Sequence, residues 1–220
     1  MTNVQRSYLP AAGRDWMLPL YDPLVKLLGG DKTRKALLEQ AAVRPGDRVL
    51  DIGCGTGTLA AVIKRLHPGI EVVGLDPDPR ALARARRKAQ QAEIGVQFDQ
   101  GFSDNLPYAA ASFDRVFSSF MFHHLPEGER GNTLREIRRV LKPGASLHMV
   151  DFAGPGSRPH GSLARMLHSS ERLKGNSEDR ILTMLKQAGF SHAAQVMRGT
   201  MLFGRLNVNY FQASVPSGQA

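Results

Sequence analysis

Val49-Leu50-Asp51-Ile52-Gly53-Cys54-Gly55-Thr56-Gly57 is an apolar run carrying one acid, followed by glycines at alternate positions. A helical pattern opens directly after it at Leu59-Ala60-Ala61-Val62. An apolar run bounded by turn residues reads as a buried strand. Glycines placed just after it let the backbone turn tightly and approach a ligand with no Cβ in the way. Strand, glycine turn and helix is also how a dinucleotide-binding sheet begins, with a pyrophosphate on the helix N-terminus. Two features separate the readings. The dinucleotide fingerprint G-x-G-x-x-G needs its third glycine where Thr58 stands, and the spacing here is G-x-G-x-G. Asp51, at the end of the strand, would repel a pyrophosphate and attract a cationic group.

The next apolar run, Ile70-Glu71-Val72-Val73-Gly74-Leu75, ends in Asp76. An acid about 20 residues past the glycine turn, at the tip of the next parallel strand, is placed to accept both hydroxyls of a ribose. The expected ligand is therefore a nucleoside with a cationic appendage. S-adenosylmethionine fits that description, with a positive sulfonium and amino group and no phosphate.

With these residues in place, the chain resembles the class I S-adenosylmethionine-dependent methyltransferases, and within them the small-molecule group that includes the ubiquinone and menaquinone biosynthesis enzymes. The resemblance covers roughly residues 40 to 150 and rests on an ordered series. Val49 to Gly57 and Val72 to Asp76 come first, then Gly101-Phe102-Ser103-Asp104-Asn105-Leu106-Pro107. Ser112-Phe113-Asp114-Arg115-Val116 and Arg135-Glu136-Ile137-Arg138-Arg139-Val140-Leu141-Lys142-Pro143-Gly144 complete it. The family implies a Rossmann-like, doubly wound α/β fold: a mostly parallel seven-stranded sheet with an antiparallel edge hairpin and helices on both faces. It implies S-adenosyl-L-methionine as cofactor, with Gly53, Cys54, Gly55 and Gly57 at its methionine part and Asp51 near its amino group. Asp76 would hold the ribose, Pro77 would lie against the adenine, and Ser119 would touch the methionine end.

One position departs from the family. The residue after the glycine of the third loop is usually an acid or asparagine that reaches the adenine amino group, and here it is Phe102. Phenylalanine cannot accept that hydrogen bond. Backbone groups of Phe102 and Ser103 could read the adenine edge instead, the ring could stack on the base, Asp104 could substitute, or Phe102 could turn into the core. In Ser118-Ser119-Phe120-Met121-Phe122-His123-His124-Leu125 the histidines stand where the pocket should open toward the methyl acceptor. A histidine near neutrality can take a proton from an acceptor hydroxyl or carbon acid. His123 is the expected base in preference to His124, against the alternative that each is a packed or capping residue.

The chain has 220 residues, 42% of them hydrophobic, enough for one sizeable core and most economically one domain over 1–220. No stretch approaches the length of a membrane span, and the N-terminus lacks a basic region followed by an apolar core. The single cysteine, Cys54, excludes an internal disulfide and suits a reducing compartment, so the expected location is cytoplasmic. The formal net charge is +9. Much of it falls in two predicted helices, one carrying Arg80, Arg84, Arg86, Arg87 and Lys88 and the other Arg135, Arg138, Arg139 and Lys142. These read as two solvated outer faces rather than a binding surface, and no run of aromatics is interleaved with them to stack bases. No His, Cys, Asp and Glu cluster has metal-ligand spacing, so no metal is expected.

Strands are predicted at 48–52, 70–75, 96–99, 113–118 and 145–151, and helices at 58–66, 79–92 and 129–141. A last helix at 177–188 precedes strand-like stretches at 192–198 and 203–211. Alternating strands and helices argue for a parallel sheet covered on both faces. Residues 1–44 read as an N-terminal helical lid with Trp16 and Tyr21 near the cofactor or substrate. Within it the apolar residues 14–29 could instead dip into a membrane interface or simply pack on the sheet. Residues 154–176 read as a pocket-wall insertion, and 216–220 as a disordered tail. Three classes of function follow: methyl transfer to a small organic acceptor, possibly apolar or aromatic; a nucleic-acid methyltransferase or binder using the basic faces; and a non-catalytic relative of the fold. The oligomeric state is not legible.

Overall fold

The computed structural model describes residues 28–154 and 176–218. Tyr21, most of the expected lid and nearly all of the expected insertion lie outside these residues. The order of elements is α1 (Gly30–Ala41), β1 (Arg48–Ile52), α2 (Thr58–Leu66), β2 (Glu71–Asp76), α3 (Pro79–Gln91), β3 (Gln97–Gln100) and β4 (Phe113–Ser119). A 3₁₀ turn at Phe122–His124, α4 (Glu127–Val140), β5 (Leu141–Phe152), α5 (Glu178–Gln187), β6 (His192–Met201) and β7 (Leu206–Ser214) complete it.

The strands form one seven-stranded sheet in the order β3-β2-β1-β4-β5-β7-β6. β1 to β5 pair in parallel, while β7 is antiparallel to both β5 and β6, as the expected edge hairpin requires. Alternate residues of each strand face opposite layers. Leu50, Ile52, Val73, Leu75, Val116, Leu147 and Met149 pack with Leu134 and Ile137 of α4 and Ile181 and Leu185 of α5. Val49, Val72, Phe117, Val150 and Val208 pack on the other face with Leu37 and Leu38 of α1, Leu59 and Ile63 of α2, and Leu82 and Ala85 of α3. Chain order reverses between β1 and β4, which is where an open α/β sheet leaves a crevice for a ligand.

Most element boundaries fall within a few residues of expectation, and the differences have local causes. Helix α3 starts as its sequence demands, with Asp78 Oδ1 accepting from Arg80 N at 2.9 Å and proline at the first helical position. β5 begins at Leu141 rather than 145. Its first residue pairs with Phe113, and the register then shifts before Arg115 pairs with Ser146, which accommodates Pro143 and Gly144 at φ +75° inside the strand span.

The two basic helices are not simply solvated faces. Arg139 donates to the carbonyls of Tyr108 and Leu106 at 2.7 and 3.0 Å, and Glu136 accepts from Leu106 N at 2.8 Å, so one ion pair on α4 clamps the loop after β3. Arg138 donates to Gly189 O at 2.7 Å, and Arg86 to Phe98 O at 2.6 Å. Carbonyls left over at loops and strand ends need donors, and long guanidinium side chains reach them from the helices.

Candidate functional site

The carboxyl ends of β1, β2 and β4 enclose a pocket of about 340 Å³. Its floor is the glycine turn. Gly53, Gly55 and Gly57 have φ of +66°, +53° and +72°, the left-handed region that side chains disfavour. The turn is tied to β2: Gly53 N and Cys54 N both donate to Leu75 O at 2.8 and 3.0 Å, and Gly55 N donates to Asp76 Oδ2 at 2.8 Å. Gly57 N donates to Cys54 O at 2.8 Å. The amides that a phosphate-binding loop would aim at its ligand are thus used within the protein.

What the turn presents instead is carboxylate. Asp51 is 1% exposed; its Oδ2 accepts from Ala60 N at 3.2 Å, and its Oδ1 has no hydrogen-bond partner. Burial pushes its carboxyl up to about 7, against the pull of the Ala60 amide and the Arg34 charge. Asp76 is pushed up to about 6, again by burial, with the amides of Asp78 and Gly55 opposing. Each Asp76 oxygen accepts one of those amides. A carboxylate oxygen has a second lone pair, so both remain able to accept from a ligand. A floor carrying two buried acids is built for a ligand that brings a positive charge and hydroxyl donors.

Of the expected site residues, Asp51, Gly53, Cys54, Gly55, Asp76, Pro77, Phe102, Ser103, Ser119 and His124 all line this pocket. Phe102 therefore belongs to the wall rather than the core. Gly57 stands behind the lining. A Cβ there would meet Ala85 and the Phe98 ring at 2.8 Å, so this glycine serves the close packing of the turn on α3 and β3. Cys54 is buried and free, with its thiol pushed up first by burial and then by the neighbouring Asp51 and Asp76 charges, which leaves it unreactive.

His123 is likewise not in the lining but one residue behind it. Its ring lies 4.0 Å from that of His124, centroid to centroid, and its Nδ1 is 2.6 Å from Asp151 Oδ1. Asp151, fully buried at the end of β5, also accepts from His123 N at 3.0 Å and Phe152 N at 2.7 Å. Burial raises its carboxyl, but His123 and these amides outweigh that and hold it below the ordinary range. An ionised Asp151 accepts the hydrogen bond from Nδ1–H, which leaves Nε2 as the basic nitrogen.

Two wall residues carried no motif signal. Arg34 of α1 is 8% exposed, lines the pocket and lies 3.5 Å from Asp31. Glu129 of α4 lines the opposite side. Among the described residues no group of three or more His, Cys, Asp or Glu side chains could hold a metal ion.

A family model described as a methyltransferase domain matches residues 49–144. A demethylmenaquinone methyltransferase of Deinococcus radiodurans is 37% identical over 151 residues, which are 67% of this chain and 62% of that protein. The chain thus spans somewhat less than two thirds of that relative's length. A ubiquinone/menaquinone biosynthesis C-methyltransferase of Syntrophotalea carbinolica is 31% identical over 81% of this chain and 84% of its own. Among solved structures, a phosphoethanolamine N-methyltransferase of Haemonchus contortus in complex with S-adenosyl-L-methionine superposes with a TM-score of 0.78 at 18% identity, covering 99% of this chain and 62% of that one.

Proposed function

The chain belongs to the S-adenosylmethionine-dependent methyltransferases, and from that premise we propose that it transfers the cofactor's methyl group to a small aromatic, quinol-like acceptor. The observation that carries the cofactor assignment is the buried Asp51 oxygen without a partner on the pocket floor. An ammonium group satisfies it, whereas a pyrophosphate would meet two carboxylates there. Asp51 would hold the amino group, Gly53 and Gly55 would admit the methionine backbone, and Ser119 would touch the same end. Arg34 is placed to neutralise the cofactor's carboxylate. Asp76 would accept the ribose hydroxyls, with Pro77, Phe102 and Ser103 around the adenine. Phe102, which lines the pocket, would stack on the base rather than read its amino group.

The cofactor, when bound, supplies a sulfonium methyl group already activated for displacement. The protein's task is to align an acceptor, exclude water and take up a proton. His123 remains the proposed base, with Asp151 fixing its tautomer. The acceptor hydroxyl would give its proton to Nε2, and the electron pair of that oxygen or of the activated ring carbon would displace the methyl group, the broken bond's pair staying on sulfur as S-adenosylhomocysteine leaves. The names of the relatives support a quinol-type acceptor, and the lone cysteine supports a reducing, cytoplasmic compartment.

S-adenosylmethionine at about 100 times its dissociation constant should stabilise the protein by about 2.7 kcal/mol, with no such shift from NAD. No thermal shift at millimolar S-adenosylmethionine sinks the assignment. In calorimetry Phe102→Asp should weaken binding about fivefold through the lost stacking; tighter binding would instead mean that an adenine acceptor is what the pocket lacks. His123→Gln should lower turnover of a soluble naphthohydroquinone about 100-fold while S-adenosylmethionine affinity stays unchanged. Unchanged turnover in His123→Gln rules out the base.

A further inference from the structure

The far edge of the sheet carries a feature that the pocket does not use. Because β7 is antiparallel to both β5 and β6, β6 runs parallel to β5, and its carboxyl end lies on the same rim as the pocket. Val208 pairs with Phe152 at the end of β5 and with Gly199 of β6. The hairpin continues past that level to the pair Met201–Leu206, so the turn at 202–205 projects beyond the rim. It stands three strand spacings, or roughly 14 Å, from β4.

At the tip Phe203 is 82% exposed. Leu202 and Phe203 adopt φ of +51° and +53°, followed by Gly204 at +83°. Large side chains disfavour that conformation, and a ring so exposed gains almost nothing from the fold in return. Arg205 in the same turn is exposed, as is Lys32, four residues past Leu28, while Asp31 is engaged by Arg34. Leu202 N donates to Leu28 O at 3.0 Å, which ties the base of this turn to the approach to α1. Gly154 N donates to Asn176 O at 3.1 Å, which brings the residue after β5 and the approach to α5 together at the same rim.

We propose that this rim docks on a bilayer bearing anionic headgroups, with Phe203 inserted at the acyl boundary and Arg205 and Lys32 among the headgroups. The formal net charge of +9 supplies the long-range attraction. No helix among the described residues is long and apolar enough to cross a membrane, so the contact is peripheral. It places the pocket mouth against the membrane surface, where an acceptor dissolved in lipid reaches it without crossing water.

The test is co-sedimentation of the full chain with vesicles of phosphatidylcholine alone and of an equal mixture of phosphatidylcholine and phosphatidylglycerol. Binding should be confined to the mixed vesicles and fall with salt. Phe203→Asp should weaken it tenfold or more and Arg205→Ala about fivefold. Melting temperature and S-adenosylmethionine affinity, measured on the same preparations, should not change. That separates failure of docking from failure of the cofactor assignment. Absence of wild-type binding, equal binding to both vesicle types, or wild-type binding by Phe203→Asp overturns the proposal. So does a dimer in vesicle-free solution that Phe203→Asp dissociates, because the ring would then belong to a contact between copies.

Discussion

Asp51→Asn should weaken S-adenosylmethionine binding by about 100-fold or more, which corresponds to roughly 2.7 kcal/mol for a charge-assisted contact in a buried site. The apo protein should be no less stable for it. Asparagine keeps an oxygen to accept from Ala60 N and removes the burial penalty that pushes this carboxyl up to about 7. Loss of ligand binding together with an unchanged or higher melting temperature is a signature that a merely structural acid would not give. Calorimetry and a thermal melt on the same variant check it, and wild-type affinity in Asp51→Asn would remove the cation site.

The pH dependence follows from the same group. With a native value of about 7 against an ordinary 3.8, the apo protein holds a proton on Asp51 that the unfolded chain releases between those values. Asp51 therefore destabilises the native state most above pH 7, and that cost disappears as pH falls toward about 4. The advantage of Asp51→Asn over wild type should be largest at pH 8 and mostly gone by about pH 4. Cofactor affinity moves the other way. An ammonium binds the ionised carboxylate, so affinity should drop about tenfold from pH 8 to pH 6 in the wild type and stay level in the variant. Subtracting the variant isolates Asp51 from His148. Burial, with a smaller push from Arg115, lowers His148 to about 3, so it costs stability as pH falls below its ordinary 6.5.

The sequence carried the parts of this site that depend on local order along the chain. Asp51 and Asp76 were legible because each closes an apolar strand, and the glycines because alternate spacing after a strand admits few other readings. The seven-stranded topology followed from the family resemblance and the alternation of elements. Arg34 was not legible. It lies on a helix outside the motif series and reaches the pocket only because α1 packs on the sheet face, a long-range relation with no local pattern. Asp151 carries the same signal, since it closes β5 as Asp51 closes β1 and Asp76 closes β2. Reading acids at strand ends as a set would have found the partner of His123. The basic helices misled for the opposite reason: charge counted along the sequence looks solvated until the loop carbonyls that it serves are brought alongside.

Gly53→Ala and Gly57→Ala should separate the two roles of the turn. Both residues are forced to positive φ, +66° and +72°, which costs an L residue about 1 kcal/mol or more. Both also lack room. A Cβ on Gly53 would lie 2.2 Å from Met121 Cγ and 2.7 Å from its Cβ, so turning the methionine side chain does not clear it and the backbone must shift. A Cβ on Gly57 would lie 2.8 Å from Ala85 Cβ and from the Phe98 ring, all within the packed layer beneath α3. Overpacking of this kind costs about 1–3 kcal/mol. Each variant should lose about 3 kcal/mol in all, or roughly 6–12 °C of melting temperature for a chain of this size. Their effects on ligand should differ. Met121 lines the pocket, so the shift that admits a methyl at Gly53 narrows the space for the methionine end and abolishes measurable cofactor binding. Gly57 faces away from that space, and its variant, at a temperature where it is folded, should bind within about threefold of wild type. Calorimetry below the melting point decides the matter. Wild-type affinity in Gly53→Ala would mean that the cofactor does not lie over this part of the turn, and lost binding in Gly57→Ala would mean that the turn moves as one rigid piece.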